Sequence, residues 1–375
     1  MMDDVVIAGA GPAGAIAGIV LARAGVRVRL VDRASFPRDK LCGDTVNPGA
    51  LAVLERLGLG AATAGGLPVD GMLVTAASGV CVAGRYGDGV QGRALSRAKL
   101  DVALVQAAVA AGARLDERIT VHEPLFEKGR VAGVIVGAGQ GVRRALRSPL
   151  VIAADGASSR VARALRLAWH PARPRRWAVG AYFSDVAGLS SLGEMHVRRG
   201  RYIGIAPMPA RLANACAVSA DPAVIRRAAA SLLEVVQEDT LLRDRFADAR
   251  MVSRPVCLGP LAVESAACGV PGCVLAGDAA GFVDPMTGDG LRLAMRGAEL
   301  AALAVLDDLQ HGTDCAHLRL AESRRREFSI KWRFNRALRT LVGSSLGIRA
   351  AARGAEWVPA WLQRAIRYAG DLQAT

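Results

Sequence analysis

The chain has 375 residues, of which 52% are hydrophobic and 22% are charged. This balance excludes an intrinsically disordered chain and is sufficient for one large domain or two interleaved domains. The formal net charge of +14 indicates either an arginine-rich surface without a partner or attraction to cofactor phosphates, a membrane surface or nucleic acid.

The sequence argues against a membrane span, secretion, disulfide bonds and a metal site. The sequence contains no apolar run of about 20 residues, and its N-terminus enters a strand rather than a leader-like segment. The seven cysteines are scattered without paired CxxC spacing, which is typical of reduced thiols. The histidines are isolated and no HExxH occurs, so no metal site is predicted. We expect a cytoplasmic protein.

The first 32 residues predict a strand, a glycine-rich turn, a helix and a second strand. An apolar run at 5–8 suits a strand buried on both faces, a helix is predicted over 15–24, and a second strand over 26–31 ends at Asp32. The turn has the GxGxxG pattern of a dinucleotide-binding βαβ unit. It consists of Gly9, Ala10, Gly11, Pro12, Ala13 and Gly14.

Each part of this unit has a physical role. Gly9 permits the tight turn, Gly11 lets a pyrophosphate approach the backbone, and Gly14 allows the helix and strand to pack closely. The helix N-terminus offers N–H groups and a partial positive charge to the phosphates. Asp32 ends the second strand and can accept hydrogen bonds from ribose hydroxyls. A dinucleotide cofactor is therefore predicted.

The remaining elements alternate between helices and strands. Helices are predicted over 47–57, 97–111, 158–165, 222–246, 290–309 and most of 313–375. Strands or hairpins are predicted over 67–95, 118–136, 150–154, 176–219 and 273–276. The nucleotide-binding signals are therefore spread over separate segments.

Two later strands end in turns that suit a cofactor site. Asp155 and Gly156 follow the apolar run at 150–154, and Asp278 follows the apolar run at 273–276. A second glycine-rich entry then leads into the long helix, where the N-terminus suits a partly negative ligand group. Its candidate residues are Pro285, Gly288, Asp289, Gly290 and Leu291.

The three segments together resemble the GxGxxG, DG and GD motifs of the FAD-dependent aromatic hydroxylase superfamily. The resemblance implies an α/β fold: a Rossmann-like FAD-binding domain with a parallel sheet, of the glutathione-reductase/hydroxylase type, an interleaved mixed β-sheet substrate domain and a helical C-terminus. It divides the chain into FAD-binding segments 1–66, 95–175 and 248–310, substrate-domain segments 67–94 and 176–247, and a C-terminal helical region 311–375.

The resemblance also implies roles for individual residues. Asp278 would bind the ribityl chain of FAD, and the loop 285–291 would aim a helix N-terminus at the pyrimidine edge of the flavin. Arg97 would reach the cofactor, and Arg33 would lie beside it. The Asp155–Gly156 turn would contact FAD and is linked to use of NAD(P)H as a transient electron donor.

A narrower resemblance comes from the segment 36–44, FPRDKLCGD. It is similar to the PRxKxCG segment of the geranylgeranyl reductase branch, which includes reductases of prenyl chains on lipids and quinones. The resemblance implies that Cys42, Gly43 and Asp44 lie near the flavin. Cys42 is the candidate catalytic thiol, and the alternative is a buried structural cysteine.

The substrate region departs from this branch. Of a YxWxFPK-like segment that lines the substrate cavity, only Tyr202 and Pro207 remain, and these two are the candidate substrate contacts. The WxWxIP segment of flavin-dependent halogenases is also absent, which argues against halogenation. An apolar or aromatic small molecule is predicted as the substrate. Double-bond reduction and FAD-dependent oxygenation, by hydroxylation or epoxidation, both remain open.

The C-terminal region is strongly basic. Between Arg324 and Arg367 there are eleven Lys or Arg residues and two acids. With Trp357 and Trp361, this pattern predicts either peripheral contact with an anionic membrane or a helical cap on the core. No aromatic–basic interleaving supports a specific nucleic-acid partner.

Overall fold

The computed structural model describes residues 2–343 except 41–43, 77–78, 88, 140, 173–174 and 284, together with residues 364, 367, 368 and 370. The candidates Cys42 and Gly43, and the tail residues Trp357 and Trp361, therefore lie outside the described residues.

The described chain contains 22 strands and eight α-helices, with several runs of consecutive strands. The strands are β1 (Val5–Ala8), β2 (Val28–Val31), β3 (Thr45–Val46), β4 (Leu67–Val69), β5 (Gly71–Ala76), β6 (Cys81–Arg85), β7 (Gly92–Ala94), β8 (Arg114–Asp116), β9 (Thr120–Glu127), β10 (Arg130–Gly137), β11 (Arg144–Arg147), β12 (Leu150–Ala153), β13 (Ala168–Trp169), β14 (Trp177–Ser184), β15 (Leu192–Arg198), β16 (Arg201–Met208), β17 (Leu212–Ser219), β18 (Arg250–Met251), β19 (Val256–Leu258), β20 (Glu264–Ser265), β21 (Gly269–Val270) and β22 (Cys273–Leu275). The α-helices are α1 (Pro12–Arg23), α2 (Pro48–Arg56), α3 (Arg97–Ala110), α4 (Arg160–Ala164), α5 (Pro222–Ala230), α6 (Leu232–Gln237), α7 (Gly290–His311) and α8 (Ala316–Gly343).

A six-stranded sheet, here called the first sheet, forms the centre of the fold. Its order is β21-β22-β12-β1-β2-β8, and all neighbouring strands are parallel except β21, which is antiparallel to β22. Helices α1, α3 and α7 contribute to the core on one face, and β9 and β10 contribute to the core on the other. The four residues of β1 are 0% exposed, which explains their continuous apolar run.

An eight-stranded mixed sheet, here called the second sheet, is built from the middle of the chain. Its order is β18-β14-β17-β16-β15-β5-β6, with β19 also paired to β14. The hairpin β5–β6 joins through a parallel pairing of β5 with β15. One face packs on α5 and α6. The opposite face contacts Met286, which lies just before α7.

Helix α8 follows α7 and packs against it and against β22 and β21. Gly312, with φ of +63°, ends α7 in the left-handed conformation and lets the chain reverse. The fold class is confirmed: an α/β architecture with a parallel sheet, a separate mixed sheet and a helical C-terminal part. The domain bounds themselves stay predictions. None of the helices in the described ranges is long and apolar enough to cross a membrane.

Candidate functional site

Three glycine-containing turns meet at the carboxyl ends of β1, β12 and β22. A Cβ on Gly9 would lie 2.5 Å from the carbonyl oxygen of Ala154, which directly precedes Asp155. A Cβ on Gly277 would lie 2.8 Å from the Cβ of Ala13 in the first turn of α1. Parallel strands place their carboxyl ends at one edge of a sheet, where open α/β folds bind ligands. The three motifs therefore form one site.

Close backbone packing explains two of the glycines in the first turn. Gly9 has φ of +94°, a conformation that side chains disfavour. A Cβ on Gly14 would lie 1.8 Å from the carbonyl oxygen of Gly9. No side chain fits this space, so Gly14 fixes the distance between α1 and the end of β1.

The start of α1 is open to a ligand. Gly11 is the N-cap and no side chain caps the helix, while Pro12 occupies its first turn. The nearest atom to a Cβ on Gly11 would be Nη2 of Arg38, at 2.9 Å. The helix start thus combines backbone N–H groups, the positive end of a helix dipole and a guanidinium, a set suited to a pyrophosphate.

Asp32 is held at the end of β2 by backbone donors. Its carboxylate accepts hydrogen bonds from the N–H groups of Ala10, at 2.8 Å, and Ala34, at 2.9 Å. Asp32 is 4% exposed, and Nη1 of Arg38 lies 3.3 Å from its Oδ2. Asp32 therefore links the glycine turn to the end of β2, while its predicted ribose contact stays a prediction.

A chain of alternating charges extends from Asp32 to α3. Arg38 also contacts Asp101, at 3.3 Å, and Asp101 accepts two hydrogen bonds from Arg97, at 2.8 and 3.0 Å. Asp101 is 0% exposed and Arg97 is 5% exposed. Arg38 and Asp101 were not among the candidate residues. Asp101 could have been found from its spacing, because it lies four residues after Arg97 on a predicted helix, where opposite charges pair.

Asp155 and Gly156 lie beside the glycine turn. Oδ2 of Asp155 accepts the N–H of Arg160 at 2.8 Å, whereas its Oδ1 is buried and has no partner in the described structure. Burial raises the pKa of Asp155, although the Ser159 hydroxyl and backbone N–H groups counteract it. The unsatisfied oxygen fits a ligand hydroxyl. Nζ of Lys40 lies 3.9 Å from the position of a Gly156 Cβ.

The later motif residues have different environments. Asp278 is half-buried in the short helix Gly277–Ala280, and Gly288 is exposed with φ of +68°. The side chain of Leu291 is 7% exposed within the core, and its predicted cofactor contact stays a prediction. Asp289 is 1% exposed and contacts α2 and α8. Pro285 is half-buried at the start of the short helix Pro285–Thr287.

Asp44 directly precedes β3 and contacts two strands of the second sheet and the start of α3. Its carboxylate accepts hydrogen bonds from the Tyr182 hydroxyl, at 2.6 Å, the Asn214 amide and the backbone N–H of Arg97, at 3.2 Å. It is 1% exposed. Burial raises its pKa to about 6, despite the lowering effect of Tyr182, Asn214 and Arg97. The predicted cofactor contact of Asp44 stays a prediction, while its hydrogen bonds attach the segment before β3 to the second sheet.

Asp44 is expected to make the stability of the protein depend on pH. Its folded pKa of about 6 exceeds the ordinary value of 3.8, so its contribution is complete below 3.8 and is lost as pH rises through 6. The difference in free energy of unfolding between wild type and Asp44→Asn should fall by about 2–3 kcal/mol from about pH 4 to about pH 7. Urea unfolding of both proteins at several pH values measures it. Exposed Asp248→Asn is the control, and a difference that is constant with pH would contradict this role.

The two candidate substrate residues point to opposite faces of β16. Tyr202 is 5% exposed and lies in the apolar cluster that includes Met286. Pro207 follows at odd spacing, so it shares the other face with Ile203 and Ile205, which pack toward α5 and α6. Their substrate contacts stay predictions. Arg33 is exposed beside Asp32, and its role is also a prediction.

Metal ligands are not grouped in the part of the chain that the structure describes. No set of three or more His, Cys, Asp or Glu side chains could hold an ion there. The features that do converge are the open helix start, the glycine turns without room for Cβ atoms and the unsatisfied Asp155 oxygen. All of these fit a dinucleotide cofactor bound at the edge of the first sheet.

The fold and this site define an FAD-dependent oxidoreductase. The chain matches the FAD binding domain family over residues 2–254, and it belongs to that family. The resemblance of the sequence to FAD-dependent enzymes is thereby confirmed at the level of the family.

Two curated relatives are reductases. The menaquinone reductase of Mycobacterium tuberculosis is 32% identical over 345 residues, which span 87% of this chain and 82% of the relative. A digeranylgeranylglycerophospholipid reductase of Methanopyrus kandleri is 29% identical and spans 82% of this chain and 79% of the relative. Both matches extend well beyond the first βαβ unit and include the second sheet.

The fold is also shared with halogenating enzymes. The structure of a flavin-dependent brominase superposes with a TM-score of 0.85, covering 98% of this chain and 94% of the brominase. At 19% identity, this similarity shows the fold alone. It does not alter the inference against halogenation from the missing tryptophans.

Proposed function

We propose that the protein uses FAD and NAD(P)H to reduce a carbon–carbon double bond in the polyprenyl chain of a lipid or quinone. The observation that supports this most directly is the apolar face of the second sheet opposite the loop before α7. The reductase relatives support the same class of substrate, since one is named for menaquinone and the other for a digeranylgeranyl lipid.

The apolar face suits an isoprenoid chain. Its members come from β5, β14, β15, β16 and β17, and Met286 lies against them. Its fully buried members are at most 8% exposed, so they form an apolar wall inside the protein. Burying each methylene contributes about 0.8 kcal/mol, so a hydrocarbon chain held against this wall would need no charged contacts. Flexible thioethers adapt to irregular shapes. The side chains concerned are Met72, Val74, Ala178, Met195, Val197, Tyr202 and Val218.

The proposal that NAD(P)H is the electron donor is supported by cations near the Asp155–Gly156 turn. Lys40 approaches Gly156, and Arg160 begins α4 immediately beyond the turn. Anionic phosphates of a nicotinamide dinucleotide would be attracted to this side of the site. Bound FAD would supply hydride chemistry there, while the residues of the first sheet orient it and the apolar face excludes water.

We also propose a cytoplasmic protein that contacts membranes peripherally, because polyprenyl lipids are held in bilayers. The described part of α8 presents an exposed basic face that would favour an anionic surface. Ile330 is 70% exposed within this face. The exposed cations around it are Arg325, Arg326, Arg333 and Arg336.

An oxygen-free spectroscopic experiment tests the reaction. NADPH should bleach the visible absorbance of the FAD-loaded protein, and a digeranylgeranyl glycerophospholipid should restore it in the absence of oxygen. The matched control is the same lipid with fully saturated chains, which should leave the protein bleached. Recovery only after oxygen is admitted, with one oxygen atom added to the lipid, would instead identify a monooxygenase.

A further inference from the structure

A buried acid at the start of α7 is paired with a cation from α8. Asp289 directly precedes Gly290, and Nζ of Lys331 lies 3.2 Å from its Oδ1. Asp289 is 1% exposed and Lys331 is 3% exposed. The amides of Asn47 and Asn335 donate to the same carboxylate, each at 3.2 Å. This group, here called the Asp289 cluster, joins α2, α7 and α8.

The Asp289 cluster decides the charge at the N-terminus of α7. The Asp289 side chain does not cap its own helix. A helix N-terminus carries about half a positive charge, so a full negative charge beside it would reverse the local field. The unit positive charge of Lys331 offsets that of the carboxylate. The N-terminus of α7 thereby keeps its positive character.

The N-terminus of α7 belongs to the same site as the start of α1. A Cβ on Gly277 would lie 2.8 Å from the Cβ of Ala13, in the first turn of α1, and 3.9 Å from that of Ala294, in the second turn of α7. The N-terminal parts of the two helices therefore flank one turn at the edge of the first sheet. A cofactor bound at α1 is exposed to the field of α7 as well.

Lys331 is fixed in place by the returning C-terminal segment. Its ammonium group donates to the carbonyl oxygen of Tyr368 and lies 4.7 Å from the centroid of that ring. The N–H of Gly49, in α2, donates to the carbonyl of Gly370 at 3.1 Å. The segment is thus attached beside the Asp289 cluster, and a flexible lysine side chain is held in one orientation.

We propose that Lys331 is a positioning residue that compensates the charge of Asp289 and so sets the redox potential of the bound FAD. Reduction places negative charge on the flavin, and a positive helix end stabilises that charge. Loss of Lys331 would leave a buried carboxylate uncompensated near the cofactor and disfavour the reduced form. The proposal rests on FAD binding in the family site but not on the identity of the substrate.

The test measures the midpoint potential of FAD in the wild type and four variants by titration against a reference dye without substrate. Lys331→Met should lower the potential by the equivalent of at least a tenfold change in the reduced-to-oxidised ratio, about 30 mV for a two-electron couple. Asp289→Asn should raise it. The double variant should return close to wild type, and Arg333→Met, which removes an exposed cation from the same helix, should leave it unchanged.

Each outcome decides the proposal. A lower potential in Lys331→Met and a higher one in Asp289→Asn, which cancel in the double variant, support it. Unchanged potentials, or shifts in the same direction, overturn it. If Lys331→Met does not fold, the rise in Asp289→Asn and its reversal in the double variant carry the test. Titration of the wild-type apoprotein with FAD separates these results from a failure of cofactor binding, and no result depends on prenyl reduction.

Discussion

Replacing Gly14 by alanine is expected to abolish FAD binding at ordinary cofactor concentrations. The new Cβ would lie 1.8 Å from the carbonyl oxygen of Gly9, a backbone atom that cannot rotate away. Helix α1 would have to move from β1, and the N–H groups at its start would lose their alignment with the phosphates. We expect the Kd for FAD to rise at least 100-fold, about 2.7 kcal/mol.

Titration of the apoprotein with FAD measures this effect, and urea unfolding measures the accompanying loss of stability, expected to be about 3 kcal/mol. Gly18→Ala is the matched control in the same helix. The three atoms nearest to its Cβ would all belong to the Leu30 side chain, the nearest at 3.4 Å, and alanine favours the helix. Equal FAD affinity in the two variants would contradict the packing argument.

Arg245→Met is expected to destabilise the second sheet by about 3 kcal/mol at neutral pH. Arg245 donates to both carboxylate oxygens of Glu194, at 2.7 and 2.8 Å, and His196 contacts the same carboxylate at 2.9 Å. Glu194 is 3% exposed. Removing the arginine would leave a buried charge without its main counter-ion, which costs far more than losing an exposed pair.

The loss of stability caused by Arg245→Met should depend on pH. Burial would raise the pKa of Glu194, but Arg245 and His196 outweigh it and hold the pKa below its ordinary value. The stabilisation is therefore present above the unfolded pKa and is lost as pH falls through the folded one. The loss in Arg245→Met should shrink in acid, where Glu194 takes up a proton. Exposed Arg85→Met, which breaks a pair with Asp70, should cost under about 1 kcal/mol. A similar loss in both variants would contradict a buried ion pair.

Local patterns predict much of the cofactor site. The first βαβ unit is encoded within 32 consecutive residues, and the burial of β1 follows from four apolar residues in succession. The turns at Asp155 and Gly277 each follow a short apolar strand, so their meeting follows from the geometry of a parallel sheet. The long helix α7 begins at Gly290, where it is predicted, and ends two residues beyond its predicted end.

Local sequence patterns do not predict contacts between distant segments of the chain. Asp44 meets Tyr182 and Asn214, which are 138 and 170 residues away. No feature of the sequence around Asp44 distinguishes this residue from a cofactor ligand. Asp289 resembles a loop residue in sequence, yet its partners come from α2 and α8. Side chains of this kind are assigned by tertiary packing, which the sequence does not display.

Prenyl reduction is tested most directly by the mass of a product formed without oxygen. FAD-loaded protein, excess NADPH and menaquinone are incubated anaerobically, and air is then admitted after the protein is removed, so that any quinol returns to quinone. The proposed function predicts a quinone whose prenyl chain has gained two hydrogens. Recovery of menaquinone, and of a digeranylgeranyl glycerophospholipid in a parallel incubation, with unaltered chains while the flavin is reduced normally by NADPH would contradict it.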